Sequence, residues 1–335
     1  MVNGEILIYL ENVVNYTVND AGQVILVNCT GIKVENLTLS RTTVAVQLWK
    51  TSNSTISRNI ISDNQAGIWL SISFNNNIVR NVIINNEYGI WLSNSCNNSI
   101  ARNNVATNYE AGISLEYSSN HNRINHNNFI NNTKHIYDWS WDFSSVSPSI
   151  NIWDDSYPSG GNYWSGYTGT DLESGPDQGQ LGSDGIGDSP YVIDENNVDN
   201  YPLMGLFSSF NTSLGYPVDV ISNSTIEDFQ YFESNSTIII HVSNMTANQT
   251  VGFCRLTMPH ELMQPPYTIK VNDTTISYNT VYENHTQGVS IIYFTYERST
   301  LEIVIVPELP SSVTLLEFLI LITISLVFIQ KKEEV

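Results

Sequence analysis

The chain has 335 residues and a formal net charge of −20, from 33 Asp and Glu against 13 Lys and Arg. That balance excludes nucleic acid and anionic lipid as electrostatic partners. The length allows two or three folded units rather than one.

Residues 1–21 alternate apolar and polar positions (Ile6, Ile8, Val14, Tyr16, Val18) and read as strands leading into the next region. From residue 22 to 134 a phrase recurs every 22 to 24 residues. One half of it is Gly67-Ile68-Trp69-Leu70, Gly89-Ile90-Trp91-Leu92 and Gly112-Ile113-Ser114-Leu115; the other is Ile56-x-x-Asn59, Ile78-x-x-Asn81, Ile100-x-x-Asn103 and Ile124-x-x-Asn127. A fixed period of this size marks stacked units that bury their apolar sides only against one another. The apolar residues come in pairs two apart, the strand period, and Asn-, Ser- and Gly-rich stretches between them supply turns. A leucine-rich frame and a helical spacing are both absent. The pattern predicts an all-β fold: a right-handed, single-stranded parallel β-helix of about five coils, a rod of roughly 24 Å. Asn59, Asn81, Asn103 and Asn127 then recur at one angular position, where stacked amides donate to one neighbouring coil and accept from the other.

The period breaks at His135. Residues 135–204 hold Trp139, Trp141, Trp153, Tyr157, Tyr163, Trp164 and Tyr167 and read as an aromatic and Asp/Gly-rich closing segment over the open end of the rod. Residues 211–306 carry short β-branched runs separated by turns, the pattern of a small β-sandwich. Residues 313–329 are largely apolar and precede Lys331-Lys332, which predicts a C-terminal transmembrane helix with a cytoplasmic tail over 330–335 and the remainder outside the cell membrane, in a single pass. Asn3-Gly4-Glu5 interrupts any leader-like apolar run, so this arrangement implies further upstream sequence. Thirteen Asn-x-Ser/Thr sequons run from Asn15 to Asn284, as in an exported glycoprotein. Cys29 and Cys96 each fall seven residues past a glycine, three coils and about 14 Å apart, too far to bridge. With Cys254 they read as free, buried thiols.

Three groups of residues are candidates for function. Trp69 and Trp91 lie between inward residues in consecutive coils and therefore point outward together, a carbohydrate-binding surface unless a later segment covers them. Glu87 and Glu110 each precede a coil glycine by two residues, within about 5 Å by strand spacing, near a retaining glycosidase's separation. Two glutamates on a solvated turn are the simpler reading, so no catalytic set is assigned. Asp171, Asp177, Asp184 and Asp188 fall in a Gly-rich loop whose oxygens suit a hard cation, calcium, or a hydrogen-bonded turn.

Gly161-Asn162-Tyr163-Trp164-Ser165, then Asp184-Gly185-Ile186-Gly187-Asp188-Ser189-Pro190-Tyr191 and Asp199-Asn200-Tyr201-Pro202-Leu203, carry a resemblance. Over residues 20–204 the chain resembles the NosD-like right-handed β-helix proteins, particularly archaeal cell-surface versions built on the carbohydrate-binding and sugar-hydrolase (CASH) repeat. Gly252-Phe253-Cys254-Arg255 and Tyr293-Phe294-Thr295-Tyr296 resemble the β-domain that follows in such proteins, and Pro307-Glu308-Leu309-Pro310 is similar to their anchoring tails. The resemblance implies a membrane-anchored surface module that binds or displays against cell-surface or environmental polysaccharide. The alternatives are a polysaccharide hydrolase or lyase and a copper-site accessory protein. Copper needs clustered His, Met or Cys. His121, His126 and His135 lack ligand spacing and the five methionines are scattered, so copper is not expected.

Overall fold

A computed structural model describes residues 2, 4–245, 249–297 and 300–308. The first half winds as a right-handed parallel solenoid of three sheets, with seven, six and six strands. A typical coil contributes Ala66–Ser71, Asn77–Val79 and Val82–Ile84 to the first, second and third sheets. Each strand pairs in register with the coil before and after it, so Ile68, Ile90 and Ile113 form one row and Ile56, Ile78, Ile100 and Ile124 another. These rows are fully buried and form a continuous aliphatic core. The glycine of the repeat has a steric cause. A Cβ on Gly67 would sit 2.6 Å from the Gly89 carbonyl oxygen, and one on Gly89 would sit 2.5 Å from that of Gly112.

Between strands the chain turns through left-handed residues, four per coil in the regular region, for example Ile72, Asn75, Arg80 and Asn85 with φ between 50° and 58°. Each is followed at once by a buried polar residue: Ser73, Asn76, Asn81 and Asn86. The expected asparagine ladder is therefore one of four. In it the Asn81 side chain accepts from the Asn59 backbone N–H and amide, both at 3.0 Å, and donates to the Ile56 carbonyl at 2.8 Å and to Asn103 Oδ1 at 3.0 Å. Such ladders satisfy corner backbone that water cannot reach. Seven of the sequon asparagines, among them Asn15, Asn53 and Asn97, hold positive φ. Turn geometry, which favours Asn at positive φ, accounts for their frequency there.

Three cysteines are free, as expected, but Cys96 is only half-buried. Cys29 and Cys96 do not occupy matching places. Cys29 stands in the inward row with Thr51, whereas Cys96 is 22 residues past Phe74, which pairs with Ser52 in an outward row. Counting from Gly22 shifts the alignment by one, since the residue 44 before Gly67 is Gln23.

The far end of the core is closed by Trp153 and Trp164, both buried. Trp164 stacks on Phe129 at 4.5 Å and on Tyr191 at 4.3 Å. Its indole N–H donates to Asp199 Oδ2 at 2.8 Å, and that carboxylate also accepts from the backbone N–H of Asn162 and Tyr201. Burial pushes the Asp199 carboxyl up to about 7 against the pull of those donors. A carboxyl raised on folding contributes stability that is full below its unfolded value and is lost as pH rises through the folded one. Asp199→Asn lacks this titration, so its stability deficit is expected to be largest below about pH 4, to shrink between about pH 4 and 7, and to stay level above that. Urea titrations across that range test this; a deficit that grows with pH would place an ionised Asp199 in the fold.

Two five-stranded antiparallel sheets follow as a sandwich. It docks on the solenoid through a reciprocal clamp, with Asn128 Nδ2 donating to the Phe207 carbonyl and the Phe207 N–H donating to Asn128 Oδ1. Arg80 reaches Ser209, Arg102 pairs with Asp219, and Arg255 donates to the Pro158 carbonyl.

The transmembrane helix is a correction. Among the described residues no helix is long and apolar enough to cross a membrane. The expected span over 313–329 and tail over 330–335 lie outside the described residues. The membrane anchor, the membrane as partner and the single-pass localisation all rested on that span, and the described residues give them no support.

Candidate functional site

The outward row of the first sheet runs Tyr9, Ile25, Gln47, Trp69, Trp91, Ser114 and Tyr137 by register. Strand spacing brings equivalent side chains within ring contact. Trp69 and Trp91 stack with centroids 5.4 Å apart and planes 24° from parallel. After the last strand, Ile136–Asp138, the Asp138 carboxylate accepts from the Ser140 N–H and caps a short turn at Trp139–Trp141. That turn folds Trp139 back over the sheet, where its indole N–H donates to Ser114 Oγ at 3.0 Å. Trp139 stacks on Trp91 at 6.0 Å, and Phe143 on Trp139 at 5.4 Å. Four rings thus form one ladder. Trp139, which sequence reasoning did not place here, is signalled only by the small Ser114 breaking the tryptophan row.

Stacking along the rod has a cost for recognition. Both faces of Trp91 are taken, by Trp69 and Trp139, while Trp69 keeps one face on the side of Gln47. The indole N–H groups of Trp69 and Trp91 are buried without a partner, so each ring offers carbon rather than its polar edge. Beside the ladder lies a depression of about 560 Å³ lined by Ser71, Ser93, Asn94, Tyr117, Ser118 and Ser145. Tyr117 and Phe143 are exposed there, and Trp49 stands in the row that continues as Ser71 and Ser93, with the Lys50 ammonium 4.3 Å from its ring.

Glu87 and Glu110 sit on adjacent coils, the Glu110 N–H donating to the Glu87 carbonyl at 2.8 Å. Glu87 is half-buried and Glu110 exposed. Tyr88, tilted against Trp91 at 5.3 Å, has its hydroxyl pKa raised by burial and then by the charges of Glu110 and Glu87. The two acids therefore border the ladder beside Tyr88.

The four aspartates lie elsewhere, with the charges of Asp184 and Asp188 both bearing on Asp171. Asp171 accepts from the backbone N–H of Asp184 and Gly185, both at 2.9 Å, and burial pushes its carboxyl up to about 7. Asp188 accepts from Thr170 and from the N–H groups of Leu172 and Glu173. Asp184 faces inward near Arg255 and Tyr157, and Asp177 is exposed. Their oxygens brace a loop. Among the described residues no three His, Cys, Asp or Glu side chains come together to hold a metal ion.

The histidines are also dispersed. His126 packs on Phe207 at 4.6 Å and contacts Ser159; His135 contacts Asn132 and Ser165; His121 is an exposed corner. Burial lowers the pKa of His126 and His135.

A family match covers the wound region. Residues 3–169 match the family described as periplasmic copper-binding protein (NosD). No curated protein matches the sequence. Among solved structures, a double mutant of the periplasmic alginate epimerase AlgG is 20% identical, with 43% of this chain and 36% of that chain covered and a TM-score of 0.29. The match thus spans about a third of the epimerase. The tailspike protein gp49 from Acinetobacter baumannii bacteriophage Fri1, a capsular polysaccharide depolymerase, is 10% identical, with 87% and 64% covered and a TM-score of 0.16. By its three parallel sheets and the family match across its first half, the chain carries a NosD-like right-handed parallel β-solenoid.

Proposed function

We propose that the outer face of the first sheet binds a polysaccharide seated over the serine-lined depression and against the aromatic ladder. The ladder beside a hydroxyl-lined hollow carries this reading. A sugar ring has an apolar C–H face and a rim of hydroxyls. The half-buried ring of Trp69 and the exposed rings of Tyr117 and Phe143 suit the first, and the serines with Asn94 suit the second. Glu87 and Glu110 extend the acceptor edge.

Affinity electrophoresis of the purified chain through a panel of polysaccharides tests it. Trp69→Ala is expected to weaken binding by about tenfold, the worth of one aromatic contact. Trp91→Ala, whose ring faces are already covered, is expected to lower the melting temperature more than Trp69→Ala does. Absence of binding to every polysaccharide, or equal binding by Trp69→Ala and Tyr117→Ala, sinks the reading. Shortening of the bound polymer, abolished by Glu87→Gln, would replace binding with catalysis.

A further inference from the structure

Where the sandwich leans on the second sheet of the solenoid, a cavity of about 510 Å³ opens, away from the aromatic ladder. Its floor is one cross-strand row of the sandwich, Asp219, Thr257, Ile291 and Tyr282, which are successive register partners. Their chain neighbours Val218, Val220, Leu256 and Ile292 enter the sandwich core, so the strand period turns this row to the opposite face. The facing wall is a solenoid corner bearing Arg102 and His126, both held at positive φ. His126 stacks on Phe207 and the Arg102 guanidinium lies 5.6 Å from the same ring, which fixes both side chains before any ligand arrives.

The charges are matched but not saturated. Arg102 Nη2 donates to Asp219 Oδ2 at 3.0 Å, yet Arg102 Nε and Asp219 Oδ1 are buried with no hydrogen-bond partner. Leaving such groups unmade costs stability. A hydroxyl can accept from the first and donate to the second. Water can do the same, but the cavity holds many times the ~30 Å³ of one water. Asp155, at the side, is paired with Arg123 at 2.6 Å and accepts from Ser159, and His126 is held by Ser159. The lining therefore has no unpaired formal charge to favour an anion or a cation. It alternates hydroxyl and amide groups with the apolar surfaces of Phe207, Ile221 and Ile291. Its volume falls in the range of small-molecule sites, about 300–1,000 Å³, and a junction between units is where such sites concentrate.

We infer that this junction cavity binds one neutral polyhydroxylated ring, a sugar unit or cyclic polyol, with Asp219 and Arg102 as its polar anchor and Phe207, Ile221 and Ile291 against its apolar face. The inference is independent of the ladder. Its test is isothermal titration of the full chain in the Trp69→Ala background, so that the first sheet does not contribute. The probes are methyl glucoside, methyl galactoside, methyl mannoside, myo-inositol, glucuronate and glucosamine. At least one neutral probe is expected to saturate a single site and to bind more tightly than either charged one. Asp219→Asn is expected to weaken that binding about tenfold to a hundredfold. Tyr282→Phe, on the far side of the same row, is expected to weaken it less and to leave the melting temperature unchanged, which separates binding from folding. No saturable neutral probe, stronger binding of a charged probe, or equal affinity in both variants overturns the inference and leaves ordered water as the cavity's content.

Discussion

Asn81→Leu is expected to unfold the solenoid, or to bring it to the edge of unfolding, although it exchanges a buried side chain for one of similar size. The substitution strands the Asn59 N–H, the Asn59 amide and the Ile56 carbonyl, all now bonded to Asn81 within 3.0 Å, in a core with no access to water. At roughly 1–3 kcal/mol for each buried group left unpaired, the loss is about 5 kcal/mol. That rivals the whole stability of a typical domain, about 5–15 kcal/mol. Because a coil contacts only its neighbours, a break here divides the stack rather than fraying an end. Asn75→Gly is the matched control. Asn75 is an exposed corner at φ 58°, where glycine is conformationally at ease, so a cost under about 1 kcal/mol is expected. Urea midpoints followed by circular dichroism compare the two. Equal midpoints would mean that the ladder contributes no more than ordinary turn geometry.

Trp164→Ala is expected to open the far end of the core. The ring is buried between Phe129 and Tyr191, and a Trp-to-Ala change at such a site costs about 3–5 kcal/mol. Loss of the indole N–H also leaves Asp199 short of one donor in a buried place. Trp164→Phe keeps the stack and drops only that hydrogen bond, so it should cost about 1–3 kcal/mol. Hydrogen exchange distinguishes this from Asn81→Leu. Protection should vanish first across 149–204 and the last coils, while the strands near Gln23–Val27 stay protected. Uniform loss along the rod would show that the closing segment does not act as a local cap.

The consequences of the repeat were legible because in-register stacking places equivalent residues on one another. Ile68 over Ile90 and Asn59 over Asn81 follow from spacing alone. Three further polar ladders were not read: the one through Thr51, Ser73, Ser95 and Ser119 mixes residue types and so hides its period, whereas the one through Asn64, Asn86, Asn108 and Asn132 is uniform and was legible from spacing. What betrays the mixed one is position, immediately after each left-handed corner. Trp139 lies beyond the last repeat, so no spacing connects it to Trp91. The outward direction of Trp69 and Trp91 was readable, but the covering of Trp91 on both faces was not.

The aspartates are a different case. A Gly-rich loop with Asp171, Asp184 and Asp188 reads either as a bed of oxygens for a cation or as a hydrogen-bonded turn, and the folded backbone brings N–H groups to several of those oxygens. The sequence by itself determined the all-β winding, the aliphatic rows and the Asn59 ladder, since each follows from period. The tertiary structure alone decided that Trp91 is stacked on both faces, which N–H groups meet the oxygens of the acidic loop, and that Arg102 meets Asp219 beside a cavity. Period reports how a unit meets its own copy. How two different units meet depends on outward side chains from distant segments, and these carry no repeat that could announce the contact.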